Sequence, residues 1–161
     1  MARPKSRPAA EAPRRDVVAR HPKARFLYEV VETLEAGLVL VGSEVKALRE
    51  RKAQIAESYA KFRGTELYLL KSHIPEYRCG GYSNHEPARA RKLLLHAHEL
   101  RRLHAEVTQK GLALVPLALY FDGKGRAKLE LALARGRKLH DKREAIRARE
   151  ARADMRGASR R

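Results

Sequence analysis

Residues 112–134 read LALVPLALYFDGKGRAKLELALA. Two apolar runs, 112–121 and 127–134, stand on either side of the turn-forming residues DGKG at 122–125. Runs of this length around a connection that contains Gly predict two antiparallel strands joined as a β-hairpin. Pro116 lies inside the first run and cannot donate a backbone hydrogen bond, so it predicts an edge position or a β-bulge at that point.

The chain before this hairpin begins with two further strand patterns and a short helix pattern. Aromatic and β-branched residues predict strands at 26–33 and 35–42. GSEVKALRERKA at 42–53 predicts a helix of two to three turns, because Ser43 can cap its first turn and Glu44 suits its positive end.

A second hairpin, a loop and a longer helix pattern fill the middle of the chain. The predicted elements are, in order, strands at 55–62 and 67–74 around the turn RGTE, a loop over 75–87, and a helix over 88–110. Apolar side chains near the helical period support the helix, and Gly111 is a natural end for it. His96 predicts a break that divides this segment into two helices.

These elements together predict the fold class. Six or seven short strands in antiparallel hairpins, with two or three helices, indicate a mainly β protein. We expect an OB-like antiparallel β-barrel with packed helices over residues 21–135. Barrels of this kind commonly hold nucleic acid on one strand face and its rim.

The charge of the chain is concentrated at its two ends. Lys and Arg number 36 against 19 Asp and Glu, giving a net charge of +17. Residues 1–25 carry +6 and residues 135–161 carry +7, which leaves +4 for the 109 residues between them. Such a balance favours a polyanionic partner, nucleic acid before an anionic membrane. Solvated tails that only aid solubility are the alternative interpretation of the two ends.

Both ends are predicted to be disordered in the free protein. Residues 1–20 hold three of the seven prolines and have no apolar periodicity, which is typical of a disordered basic arm. In residues 136–161, Leu139, Ile146 and Ala153 recur at seven-residue spacing, a stripe too thin for stable helix packing. We expect this basic tail to become helical only where phosphates neutralise its charge.

The sequence gives little support for catalysis or metal binding. Cys79 is the only cysteine, and the spacing of His96, His98 and His104 does not place two imidazoles at i and i+4 on a helix. We therefore expect no cofactor, no metal and no enzymatic activity. A histidine-based nuclease that uses His21, His73 or His140 is the catalytic alternative.

No apolar run approaches the length of a membrane span, and the N-terminus lacks the apolar region of a signal peptide. These features predict a cytoplasmic protein without a membrane partner.

Several motifs, taken in order, resemble one family. They are EAGLVLVG, GSEVKALR, SYA, ARKLLLH followed by HEL, GLALVPLALYF and LARGRKLHDKRE, and together they span roughly residues 20–150. This set resembles the tmRNA-binding SmpB family. The resemblance implies a monomeric, non-enzymatic adaptor of trans-translation, which binds the tRNA-like domain of tmRNA and reaches elongation factor Tu indirectly through tmRNA. A structural ribosomal component with a similar barrel and tails is the alternative.

The resemblance also implies which residues bind RNA. The tmRNA-binding surface would comprise His21, Lys23, Arg25, Glu35, Arg91, Lys92, Leu94 and His96. The tail would enter the decoding centre and the empty mRNA channel of the small subunit, through Gly136, Arg137, Lys138, His140, Asp141, Lys142 and Arg143. This chain departs from the family at His21, where Asn is usual, and at Phe26 and Leu27, where a His and an acidic residue are usual.

Overall fold

The computed structural model of the protein describes residues 15–158, with side chains at 15–138 and 142–156. Seven strands and four α-helices make up this part of the chain. In order they are β1 (Asp16–Arg20), α1 (Ala24–Leu27), β2 (Tyr28–Leu38), α2 (Gly42–Arg49), β3 (Tyr59–Arg63), β4 (Glu66–Leu70), β5 (Arg91–Leu94), α3 (Ala97–Lys110), β6 (Ala113–Phe121), β7 (Ala127–Gly136) and α4 (Leu139–Ala158).

The strands close into an antiparallel barrel. Their order is β1-β6-β3-β4-β5-β2-β7, and β6 also pairs with β7, which joins the two sides of the sheet. All of these pairings are antiparallel, and β1 lies outside the closed ring, against one edge of β6. The predicted fold class, mainly β with helices, is confirmed.

The hairpin of residues 112–134 forms the closure of the barrel. The carboxylate of Asp122 accepts hydrogen bonds from the backbone N–H groups of Lys124 and Arg126, both at 2.9 Å, and Gly125 takes φ +76° in the turn. The pairing of β6 with β7 shifts register between Pro116 and Ala118. Pro116 therefore lies at a β-bulge, as the sequence predicts.

Inward-facing leucines of several strands fill the barrel. Leu67, Leu129 and Leu131 are completely buried, and the helices add Leu48 of α2 and Leu103 of α3 to the same core. In β4 these side chains alternate with more exposed ones, so one face packs inward, whereas β6 is buried on both faces.

Two predicted elements have a different form in the structure. The two strands predicted at 26–33 and 35–42 are one long strand, β2, preceded by the single turn α1; β2 bulges between Val30 and Glu32. The helix predicted over 88–110 begins only at Ala97, because residues 91–94 pair with β2 and β4 as strand β5. His96 is the N-cap of α3 and does not divide two helices, so that prediction is wrong, while Gly111 ends α3 with φ +63°.

The predicted boundaries of the disordered ends also differ from the structure. Residues 16–20 belong to β1 and pair with β6, because the edge of β6 offers free backbone groups; residues 1–14 lie outside the described range. The tail, which the sequence predicts to be unfolded when free, contains the helix α4. Ala, Arg and Glu, which favour helices, make up most of α4, and α4 contacts α1.

A buried ion cluster ties α2 to the start of β5. Glu44 of α2 and Arg91 of β5 are both completely buried, with Arg91 Nε 2.8 Å from Glu44 Oε1. Arg89 Nη2 lies 2.6 Å from the other carboxylate oxygen, and the backbone N–H of Val41 donates to that oxygen at 3.0 Å. Glu44 therefore caps the helix, whereas the predicted cap residue Ser43 bonds to His85 instead.

The remaining donors of Arg91 are satisfied by backbone and hydroxyl oxygens. They reach Ser72, Arg89 and Pro87 at 2.8 to 3.1 Å. Burial acts most strongly on the pKa of Glu44 and raises it, but the hydrogen bonds from Arg89 and Val41 and the charge of Arg91 together hold that pKa below the ordinary 4.5. The carboxylate therefore contributes stability fully above pH 4.5 and loses it as the pH falls through the lowered pKa.

Among residues 15–158, none of the helices combines the length and the apolar composition needed to cross a lipid bilayer.

We predict that Glu44→Gln lowers the free energy of unfolding by about 3–5 kcal/mol at pH 7, because it leaves the Arg91 guanidinium buried without a counter-charge. Urea unfolding followed by circular dichroism measures the loss. The matched control is Glu66→Gln, which removes the partner of exposed Lys92 and should leave stability nearly unchanged. Equal effects of the two substitutions would contradict the structural role of the buried cluster.

Candidate nucleic-acid interface

Strand β5 divides its four side chains between the core and the surface. Arg91 and Leu93 point inward, at 0% and 1% exposure, while Leu94 is 51% exposed and Lys92 is half-buried. This alternation is the period of two that a strand imposes. It corrects the prediction that Arg91 belongs to the RNA-binding surface, because its guanidinium is enclosed by protein oxygens.

An open groove of about 740 Å³ runs over the end of β2 and the start of α3. Three of the predicted RNA-binding residues line it together: Glu35, Leu94 and His96. Gly37 pairs with Leu94 across the β2–β5 ladder, and a Cβ atom at position 37 would lie 3.3 Å from Leu94 Cβ. The absence of a side chain at Gly37 therefore lets Leu94 lie close against β2 at the floor of the groove.

Glu35 is held by neighbours on β6 and β7 and by Arg15, which directly precedes β1. The hydroxyl of Tyr120 on β6 donates a hydrogen bond to it, and Lys128 Nζ on β7 lies 3.4 Å from its other oxygen. Arg15 lies 4.0 Å from Glu35 and 3.9 Å from Glu130, the residue opposite Glu35 in the ladder. The Arg15 guanidinium also covers the Tyr120 ring, 4.8 Å from its centre. Two facing carboxylates are thus surrounded by cations.

These contacts keep Glu35 ionised. The hydrogen bond from Tyr120 is the largest influence on the pKa of Glu35 and, with Lys128 and Arg15, lowers it below the ordinary 4.5 despite partial burial. Burial raises the pKa of Tyr120, and the neighbouring carboxylate raises it further, so the phenol keeps its proton as a donor. Glu35 therefore presents an ionised hydrogen-bond acceptor in a groove that Arg126 and Lys128 also line.

His96 begins α3 at the side of the groove. Its backbone N–H donates to Glu99 Oε2 at 3.0 Å, which caps the helix, and its exposed ring stacks on His98 with the ring centres 5.7 Å apart. The cap fixes the backbone of His96 while the imidazole faces the groove. A ring in this position can stack on a base or exchange hydrogen bonds with one.

Four residues that the sequence does not single out lie in or beside the groove: Arg126 and Lys128 line it, and Arg15 and Tyr120 contact Glu35. Lys128 and Glu130 alternate with buried Leu129 and Leu131, so the period of two in β7 already indicates that they share an outer face. Nothing in the order of the sequence connects Arg15 with Tyr120. Their contact follows from the pairing of β1 with β6.

The other predicted residues lie near the opposite end of β2. Lys23 and Arg25 are exposed on and beside α1, which leads into Tyr28 at the start of β2. Glu35 lies seven residues after Tyr28 in the chain, a distance of about 23 Å along an extended strand. The predicted set is therefore divided between two places. His21 is mostly buried, and its ring nitrogen Nδ1 lies 3.3 Å from the carbonyl oxygen of Pro116, so it packs under α1.

The tail leaves the barrel at the same end as α1. Gly136 pairs with Tyr28, and the next residue, Arg137, donates its backbone N–H to the carbonyl of Leu27 at 3.2 Å. A shallow depression between the two helices is lined by Lys23, Phe26 and Leu27 of the α1 segment and by Ile146, Arg149, Glu150 and Ala153 of α4. Phe26 and Leu27 thus form a small apolar surface beside the basic helix α4.

Of the predicted tail residues, Gly136, Lys138 and Arg143 are exposed, and Arg137 and Lys142 are half-buried. The side chains of His140 and Asp141 lie outside the described residues. Of the three histidines proposed for the nuclease alternative, His73 lies in an isolated bridge with Gln54, in a different element from His21. In residues 15–138 and 142–156, no three potential metal-ligating side chains come together.

The sequence and the fold are similar to those of proteins already characterised. A sequence profile described as SmpB protein matches residues 18–161. The chain is 61% identical over 128 residues to an SsrA-binding protein of Agrobacterium fabrum, covering 80% of each chain. It is 57% identical over 134 residues to an SsrA-binding protein of Rhizobium leguminosarum bv. trifolii, covering 83% of this chain and 84% of the relative.

This chain belongs to the SmpB family. The family match extends from β1 through α4, so it includes both the barrel and the tail. A chain in the solved structure described as "tmRNA-SmpB: a journey to the center of the bacterial ribosome" has a TM-score of 0.64 at 51% identity. That likeness covers 80% of this chain and 94% of the other. The family resemblance drawn from the sequence motifs is confirmed.

We predict that Leu93→Ala and Leu94→Ala, at adjacent positions, affect stability very differently. Leu93 is buried in the core, so its truncation should lower the free energy of unfolding by about 2–5 kcal/mol. Leu94 projects into the groove, so its truncation should change stability by less than about 0.5 kcal/mol. Urea unfolding of both variants tests this. A larger loss for Leu94→Ala would place β5 in the opposite register.

Proposed function

We propose that this protein is a cytoplasmic adaptor of trans-translation that binds the tRNA-like domain of tmRNA and delivers it to stalled ribosomes. Membership of the SmpB family supports the proposal, since the relatives are SsrA-binding proteins and the similar solved structure is of tmRNA-SmpB in the bacterial ribosome. The single observation that carries it here is the groove in which Glu35, Leu94 and His96 meet, and which Arg126 and Lys128 also line.

Different residues of the groove supply affinity and discrimination. Arg15 and Lys128 can pair with phosphates, which releases counterions and makes binding sensitive to salt. The fixed carboxylate of Glu35 can accept a hydrogen bond from a base amino group or a ribose 2′-hydroxyl, which phosphate binding alone does not distinguish. Leu94 offers an exposed apolar surface against a base or sugar. Together they suit a folded RNA with accessible base edges.

Lys92 extends the cationic surface beside the groove. Its Nζ lies 2.6 Å from Glu66 Oε1, and both side chains remain partly exposed to solvent. An exposed ion pair of this kind contributes little to stability, so a phosphate can replace the carboxylate at small cost. Lys92, unlike its neighbour Arg91, is therefore available to RNA.

The tail supplies the ribosomal half of the proposed function. Residues 135–161 carry eleven basic and four acidic side chains, a composition suited to ribosomal RNA. We place Gly136, Arg137, Lys138, His140, Asp141, Lys142 and Arg143 in the decoding centre and the rest of the tail in the empty mRNA channel. The protein acts as a monomer, and elongation factor Tu joins through tmRNA. Lys23 and Arg25, exposed on and beside α1, remain part of the proposed tmRNA-binding surface.

We predict that Lys128→Ala reduces the slope of log affinity against log salt by about one in binding to the tRNA-like domain, because one phosphate contact is lost. Leu94→Ala should weaken binding about tenfold without changing the slope, because its contact is apolar. Filter binding at several salt concentrations measures both. Lys110→Ala is the control, since Lys110 lies at the other end of α3, about 20 Å from the groove. A slope change with Lys110→Ala alone would contradict the proposed site.

We predict that truncation after Lys138 leaves affinity for the tRNA-like domain within a few-fold but abolishes tagging of stalled nascent chains. This cut removes α4 and keeps every strand pair of the barrel, including Gly136 with Tyr28. A gel-shift assay measures the first property, and a reconstituted translation reaction on an mRNA without a stop codon measures the second. Parallel loss of both activities would contradict the division between barrel and tail.

A further inference from the structure

The loop between β4 and β5 is organised by its own hydrogen bonds. The side-chain amide of Asn84 bonds to both backbone groups of Tyr77: Tyr77 N–H donates to Oδ1, and Nδ2 donates to the Tyr77 carbonyl, each at 2.9 Å. Gly80 packs so closely beneath this amide that a Cβ there would lie 2.6 Å from Asn84 Oδ1. Gly81 follows with φ +51°. Two glycines and one asparagine thus set the shape of the loop tip.

The base of this loop is fixed to the barrel. His85 is buried, and its Nε2 lies 2.8 Å from the carbonyl of Ile74, so Nε2 carries the hydrogen and donates. The other ring nitrogen accepts from the Ser43 hydroxyl at 2.9 Å. Lys46 of α2 lies over the Tyr77 ring, 5.4 Å from its centre. The loop is therefore held at both its base and its tip.

The tip presents Tyr82 entirely to solvent. Among the large apolar side chains of the described residues it is the most exposed, at 111% of the reference area. It lies in a short 3₁₀ turn, Gly81–Ser83, whose backbone is closed by a hydrogen bond from Ser83 N–H to the Gly80 carbonyl at 3.0 Å. An aromatic ring on a constrained loop loses little entropy when a partner covers it. The ring contributes nothing to the barrel core.

We propose that Tyr82 is a stacking platform for an unpaired base of a bound RNA, separate from the groove at Glu35. The inference rests on the proposed function, because it requires an RNA partner. A ring flanked by Gly81 and Ser83 offers one π-face but no surrounding apolar patch, which suits a base better than a protein surface. Glu76 and Glu86 balance Lys71 and Arg78 along the loop, and the remaining cation, Arg89, pairs with Glu44, so the contact depends on stacking rather than on phosphate binding.

The base could come from the tRNA-like domain or from ribosomal RNA, and the chemistry of stacking is the same for both. Because the chain contains no tryptophan, Tyr82→Trp introduces a single tryptophan at the tip, whose emission can be excited selectively over that of the tyrosines. We expect its emission to be quenched, and its accessibility to acrylamide reduced, on addition of the isolated tRNA-like domain or of small ribosomal subunits. The responding RNA identifies the source. Tyr77→Trp, half-buried in the same loop under Lys46, is the matched control and should change little.

Affinity measurements complete the test. Tyr82→Ala should weaken binding of the responding RNA about tenfold, Tyr82→Phe should retain it, and neither should alter the salt slope. Fluorescence at position 82 unchanged by both RNAs while they bind, or equal affinity of Tyr82→Ala and the wild type, would overturn the stacking platform and leave the proposed function intact. Failure of the wild type to bind either RNA would overturn both.

Discussion

The buried pair of Arg91 and Glu44 fixes the register of β5, and the surface of the molecule depends on that register. Because side chains alternate along a strand, a shift of one residue would bury Leu94 and Lys92 and expose Arg91 and Leu93. Such a shift would also separate a completely buried guanidinium from its carboxylate. An ionic contact inside the barrel therefore determines which groups β5 presents outside it, although neither partner reaches the surface itself.

In the proposed function, the barrel acts as a spacer between two regions that contact RNA. Strand β2 begins beside α1 and the root of the tail and ends beside the groove. Its length, and the pairing of β2 with β7 along nearly all of that length, hold these regions about 23 Å apart. In the proposed function the same strand thus links the site that grips the tRNA-like domain to the helix that meets the ribosome. Stiffness of β2 is part of the mechanism.

Local signals in the sequence predict the closure of the barrel but not its polar contacts. The hairpin at 112–134, the bulge at Pro116 and the end of α3 at Gly111 follow from turn residues and from proline's missing N–H. The sequence predicts a helix at residues 88–95, because RKLLL fits a helical face as well as a buried strand. The pairing of β5 with β2 and β4 decides for the strand. The contacts of Glu44 with Arg91 and of Arg15 with Tyr120 join residues far apart in sequence. The resemblance marked Glu35, Leu94 and His96, while their meeting in one groove required the fold.

Positive charge alone would not distinguish one folded RNA from another, so the distribution of charge along this chain matters for specificity. The basic ends supply most of the net +17, whereas the barrel carries little. Phosphate contacts add affinity for any RNA, so discrimination must come from groups that are not cations. In the groove those groups are an aimed carboxylate and an exposed leucine, both held by the closed sheet. In the proposed function the tail meets the ribosome and needs no such discriminating groups, and its helix is rich in Arg and poor in large apolar side chains.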